Sequence, residues 1–232
     1  MGKRFSSADL KLLAMGAMAI DHAAYVWMYG SEYAASLPKE GICMAMRLVG
    51  RMAFPLFAFL LVEGFLHTKD WKRYAARLLA AAVVSELPYN LVVENSLSAP
   101  KNQNTLFLLL VGLLTLKGIS RAGRLCACLT AIAGFTAAWL FRMDYGPVGL
   151  LLVLVFYFFR QNPPMRTRAG ILTLFFLYGP DLMWPAACTA FFFMNRYSQE
   201  RGKRLGCLPY VFYPVHLSIL YFTGGILHGA YI

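Results

Sequence analysis

Apolar residues in this chain come in long runs broken by short polar clusters, and helical rather than alternating patterning sets its organisation. The runs cover 8–29, 42–66, 74–93, 105–116, 124–141, 146–159, 169–178, 183–195 and 208–227. A hydrocarbon layer of about 30 Å needs roughly 20 helical residues at about 1.5 Å each. The longer runs therefore predict membrane-spanning helices, and the whole predicts an all-α polytopic transmembrane bundle of about nine helices. The runs over 105–116, 169–178 and 183–195 are short for that thickness and predict tilted, broken or re-entrant segments. One integral-membrane domain over 1–232 is expected, with no linker and no repeat at a fixed period.

Composition agrees with the pattern. Hydrophobic residues make up 59% of the chain and charged ones 14%, at a mean hydropathy of +0.55, which leaves too little polar surface for a soluble domain. Charge then supplies the orientation. With the amino terminus inside, seventeen of the 22 lysines and arginines fall at the inner face. Lys39, Lys101 and Arg142 fall in outer loops, and Arg47 and Arg51 lie within the second run. Positive residues are retained on the cytoplasmic side, so a cytoplasmic amino terminus and an outer carboxyl terminus are expected. The net charge of +11 needs no nucleic-acid partner, because anionic lipid accounts for it. Lys3 and Arg4 before an apolar run, with Ala34-Ala35-Ser36 after it, resemble a signal peptide, but the run is long and carries charge, so retention as a true helix is expected. The five cysteines are scattered and predict neither a disulfide framework nor a zinc knuckle.

Ionisable residues inside apolar runs are costly and mark functional positions. Asp21-His22 is such a pair in the first run. Imidazole exchanges protons near neutrality, and a carboxylate can orient it, so the pair points to general-base chemistry; a histidine satisfied by a helix neighbour is the plain alternative. In the second run Arg47 and Arg51 stand four apart on one helix face. They either snorkel outward or turn inward to Asp21, Glu86 or an anionic substrate. Gly50 permits close helix approach beside them, and Pro55 predicts a kink. Glu63 and His67, also four apart, mark the inner end. Helix direction sets Glu86 and Asn90 at the depth of His22 and Arg47, while Asn102, Asn104, Thr105, Arg142, Asp144, Tyr145 and Asp181 belong to outer loops. The last run carries Tyr210, Tyr213 and His216, the last a second candidate for proton handling or substrate positioning, or else a buried histidine tied to Tyr213 or a backbone carbonyl.

The order Leu10-Lys11-x-Leu13-Ala14-Met15, Asp21-His22, Arg47-Leu48-x-Gly50-Arg51-x-Ala53-Phe54-Pro55-Leu56-Phe57-Ala58-Phe59, Glu63-Gly64-Phe65-x-His67-Thr68 and Arg73-Tyr74-x-x-Arg77-Leu78 resembles the TraX family. The resemblance spans most of the chain and is most specific in its first third. It implies a multi-pass acetyltransferase of the bacterial inner membrane, with the amino terminus of conjugative pilin as the acceptor of the best-known member. Lys11-x10-His22 is also similar to the basic residue, ten-residue spacer and histidine of the acyltransferase-three superfamily, with lysine where arginine is usual. Eleven helical steps bring Lys11 and His22 near one face, about 16.5 Å apart.

These readings together predict acetyl transfer from cytoplasmic acetyl-CoA, as donor substrate, to an amine or hydroxyl of a peptide, glycan or lipid, with no metal. His22 is the expected base or acyl carrier, oriented by Asp21. Arg47 and Arg51 are expected to stabilise the oxyanion or hold an anionic group, and His216 to assist. Lys11, Lys69, Lys72, Arg73 and Arg77 are candidates for the CoA phosphates, with a positive-inside loop as the alternative. Glu86, Asn90, Asp144 and Tyr213 are candidate acceptor-binding residues. A transporter or flippase with a polar cavity, a zinc hydrolase using His22, Asp21 and His216, and a pilus-assembly scaffold are the competing classes. No paired half repeats the Asp-His pattern, no His-x3-His is present, and serine-hydrolase and Walker signatures are absent.

Overall fold

The computed structural model describes residues 4–28, 37–93, 96–97, 102–121 and 123–227, without the side chains of 28, 37–39 and 225–227. Lys3, Lys101, Ala34-Ala35-Ser36 and the side chain of Lys39 lie outside the described residues. Eleven helical segments follow one another: α1 (Ser7–Met28), α2 (Leu37–Gly50), α3 (Ala53–His67), α4 (Trp71–Val93), α5 (Thr105–Arg121), α6 (Arg124–Leu140), α7 (Gly146–Phe158), α8 (Pro163–Tyr178), α9 (Met183–Cys188), α10 (Ala190–Met194) and α11 (Leu208–Leu227). Glu40–His67 and Met183–Met194 each run on as one helical stretch, which gives nine helices among the described residues. Among those residues the β contacts are two isolated bridges, Phe5 with Tyr197 and Gln103 with Met143.

Two helices, Glu40–His67 and Trp71–Val93, are long and apolar enough to cross a membrane. Two of the runs that look short in the sequence are longer as helices. The run 105–116 continues to Arg121, and 169–178 begins at Pro163, where proline fits the first turn and Asn162 Oδ1 accepts from the Met165 N–H at 3.1 Å. The stretch Met183–Met194 stays short, about 18 Å at 1.5 Å per residue.

The break expected from Pro55 falls at Arg51-Met52, between the polar and apolar halves of the run, where two turn residues separate α2 from α3. Proline has no N–H for the carbonyl four residues before it and its ring presses on that carbonyl, which here is that of Arg51. Pro55 itself sits in the first turn of α3, where the missing N–H breaks no helical bond. The Arg51 N–H bridges the gap, donating to both Arg47 O and Leu48 O at 3.2 Å.

The helices group into two compact units. One comprises residues 1–57, 87–97 and 180–232; in it α1 packs on α2 and α11, and α2 on α9. Its core holds Leu10, Ala14, Ala24, Phe191, Met194 and Leu217. A clasp closes the start of α1: the N–H groups of Phe5, Ser7 and Ala8 donate to the carbonyls of Arg196, Glu200 and Arg201. The other unit comprises residues 58–86 and 98–179. There α5, α6 and α7 pack mutually and α8 packs on α7, around Leu108, Leu113, Leu116, Leu150, Leu152, Phe156 and Leu174. Leu125, Leu129, Ile132 and Trp139 of α6 leave an exposed apolar face, the surface that lipid contact requires.

Candidate functional site

Chemistry gathers in the first unit, on α1, α2 and α11. Successive residues of a helix diverge by about 100°, and at Asp21-His22 this sends one side chain to α2 and the next to α11. The carboxylate of Asp21 is buried and accepts from both arginines of α2. Arg47 Nη1 donates to Oδ2 at 3.0 Å, while Arg51 Nη2 lies 2.5 Å from both oxygens and Arg51 Nε donates to Arg47 O at 3.3 Å. Such close approach depends on Gly50: a Cβ there would stand 2.2 Å from the Asp21 Cβ. The guanidinium carbon of Arg47 lies 5.6 Å from the ring centroid of Tyr25.

Two guanidiniums on one carboxylate leave a unit of positive charge, and they do not hold it equally. Arg51 is bound to both oxygens and to the backbone, with a side chain 12% exposed. Arg47 is 23% exposed and gives Asp21 only Nη1. The rest of its fork suits an anion or a developing oxyanion.

The other face of α1 meets α11. His22 Nδ1 and His216 Nε2 are 2.8 Å apart, with ring planes 8° from parallel. His216 Nδ1 lies 2.8 Å from the Phe212 carbonyl, which can only accept, so this nitrogen carries a proton. In neutral His216 the Nε2 is then the acceptor and His22 Nδ1–H the donor, which leaves the lone pair of His22 on Nε2. Tyr213 is buried with its ring inclined steeply to both imidazoles, at centroid distances of 6.2 and 5.6 Å, and Phe212 stacks on His216 at 4.7 Å. His22 is half-buried.

The geometry corrects one expectation: Asp21 does not orient the imidazole of His22, because its carboxylate is taken by Arg47 and Arg51. His216 contacts the ring instead. The inward choice for both arginines is the one the structure adopts, toward Asp21.

The remaining candidates are distributed between the units. Lys11, half-buried on α1, lies in the first unit within electrostatic reach of Arg201. Lys69, Lys72, Arg73 and Arg77 are exposed at and after the α3–α4 turn of the second. Asn90 is buried in the first unit, on the last turn of α4. Glu86 and Asp144 belong to the second unit: Glu86 accepts from Asn104 Nδ2 at 2.6 Å, and Asp144 from Thr105 Oγ1 at 2.5 Å. No group of three metal-ligating side chains occurs among the described residues.

Sequence reasoning passed over two residues. Tyr25 lies beneath Arg47, and its hydroxyl donates to the Val93 carbonyl at 3.3 Å; its position three after His22, on nearly the same helix face, was the available signal. Arg201 reaches Lys11 only through the clasp on α1, which no local pattern foretells.

A family model described as TraX protein matches residues 6–223. The chain is 31% identical to a probable fimbrial assembly protein FimC, serogroup H1, of Dichelobacter nodosus, over 93% of this chain and 94% of that one. No solved structure matches it.

Proposed function

We propose, from the premise that this chain belongs to the TraX family, that it is a membrane acetyltransferase taking acetyl groups from acetyl-CoA. The observation that carries the reading is the His22–His216 pair, whose hydrogen bond leaves a basic nitrogen on His22 within electrostatic reach of two arginines that share one carboxylate. His22 Nε2 takes the proton of the acceptor amine or hydroxyl as its nitrogen or oxygen attacks the acetyl carbonyl carbon. The new bond turns that carbonyl into a tetrahedral oxyanion, which the open edge of Arg47 stabilises. Collapse breaks the carbon–sulfur bond, and the departing CoA thiolate takes the proton from His22. While His22 is an imidazolium, its Nδ1–H bond to His216 spreads the charge. Arg51 and Asp21 position Arg47.

Donor and acceptor enter from opposite sides in this reading. The amino terminus is cytoplasmic in the inner membrane, acetyl-CoA approaches near Lys11 and Arg201, and the acceptor lies within or beyond the bilayer. The relative named for fimbrial assembly favours a pilin amino terminus among peptide, glycan and lipid acceptors. The test is transfer of labelled acetyl from acetyl-CoA to a membrane extract by the purified protein in nanodiscs. Label in a peptide or envelope fraction supports the reading; a folded protein that neither binds nor turns over acetyl-CoA overturns it in favour of an assembly scaffold.

A further inference from the structure

Asn90 is 5% exposed, and its Oδ1 is buried without a hydrogen-bond partner. The other buried side-chain amide among the described residues is provided for. The fully buried Asn104 donates to Ala82 O and Glu86 and accepts from the Leu106 N–H. Buried Ser85 and Thr173 each donate to the carbonyl four residues back. A buried carbonyl oxygen left bare is costly, and native proteins keep few of them without a ligand, water or functional reason.

The surroundings of Asn90 say which reason applies. It lies one turn before Val93, whose carbonyl accepts from the Tyr25 hydroxyl, so the last turn of α4 is fastened to α1. Tyr25 is itself three residues from His22 and lies beneath the Arg47 guanidinium. One ring thus joins the helix of the proposed base, the proposed oxyanion donor and the helix turn that carries Asn90. The two ends of this wall have opposite polarity: Arg47 offers N–H groups to oxygens, and Asn90 offers an oxygen that only an N–H or O–H group satisfies.

We propose that Asn90 Oδ1 receives the hydrogen bond of the acyl acceptor's N–H or O–H group, which makes the last turn of α4 the acceptor-binding wall of the first unit. The proposal rests on the acyl-transfer reading for the identity of the bound molecule. A group with only acceptor atoms, such as a fully ionised phosphate or a thioester carbonyl, does not meet this requirement, so the reacting carbonyl of the donor is not what Asn90 Oδ1 binds.

The test is thermal unfolding in nanodiscs with two probes, Ala-Ala amide with a free amino terminus and methyl glucoside, for wild type, Asn90→Leu and Asn90→Asp. Because it needs no acetyl-CoA, its failure is distinct from failure of acyl transfer. The expected result is that one probe stabilises wild type, that Asn90→Asp keeps the response through its carboxylate oxygens, and that Asn90→Leu weakens apparent affinity about tenfold. Response to the peptide identifies an amine source and response to the glycoside a hydroxyl source. Ligand-free Asn90→Leu is expected to melt above wild type, since the bare oxygen is gone; Asn90→Ala replaces it if leucine does not fold. An unchanged probe response in Asn90→Leu or Asn90→Ala, or a wild type that responds to neither probe, overturns the proposal.

Discussion

His22 Nδ1 lies 2.8 Å from His216 Nε2, and the Phe212 carbonyl fixes which of the two carries the shared proton. The second histidine of the pair is thereby assigned a role separate from the first. His216→Ala is expected to lower the acetyl-transfer rate about 100-fold, at the lower end for proton-handling groups. His216→Gln, whose side-chain oxygen can still accept from His22 Nδ1–H, is expected to recover part of the loss. Steady-state rates of both variants check this, and equal losses in the two would contradict a hydrogen-bonding role.

The two arginines differ in a measurable way. Arg51 secures a buried carboxylate through both of its oxygens where Arg47 holds one, and a hydrogen bond to a charged group contributes about 1.5–3 kcal/mol. Arg51→Ala is therefore expected to show the larger drop in melting temperature. Arg47→Ala leaves Arg51 on Asp21 and is expected to keep more stability while losing about 100-fold or more in kcat. Melting curves and kinetics on the same samples separate these outcomes; the reverse order would exchange the two roles.

Gly50 sets how closely α2 approaches α1. A Cβ at that position meets the Cβ of Asp21, close to the backbone, where no flexible side-chain tip can yield. Gly50→Ala is expected to destabilise the protein by about 1–3 kcal/mol and to reduce activity by displacing Arg47. Unfolding measurements in nanodiscs check this, and a neutral substitution would mean that the helices are free to part.

Orientation follows from the placement of lysine and arginine. In a background with the native cysteines replaced, Lys69→Cys is expected to react with an impermeant thiol reagent only after the inner membrane is opened. Arg142→Cys is expected to react once the outer face alone is accessible. The opposite labelling would invert the membrane and move the proposed acceptor side to the cytoplasm.

Much of the architecture was legible because apolar runs and helices share their cause. The break in the second run is legible through Pro55, which acts on the carbonyl one turn earlier, at Arg51, where the polar half of the run meets the apolar half. Arg47 and Arg51 were legible as one face by their four-residue spacing, and Asp21 was among their foreseen partners. The reading of Asp21 as the orienter of His22 failed because neighbours in sequence diverge around a helix. The true contact of His22 is 194 residues away, and no periodicity encodes which two helices meet. Glu86 and Asn90, grouped by depth, stand one turn apart on α4, but the compact units divide after Glu86, and Glu86 is bound to Asn104. Depth is a property of one helix, while a site is made by the faces that helices turn to one another.

The central claim is that His22 is the base of an acetyl-transfer reaction. Its most direct test is release of free CoA thiol from acetyl-CoA by the purified protein in nanodiscs, with membrane extract as acceptor, measured beside a folded His22→Ala variant. The account predicts turnover in wild type and a loss of about 100-fold or more in the variant. Equal turnover in the two proteins would contradict it.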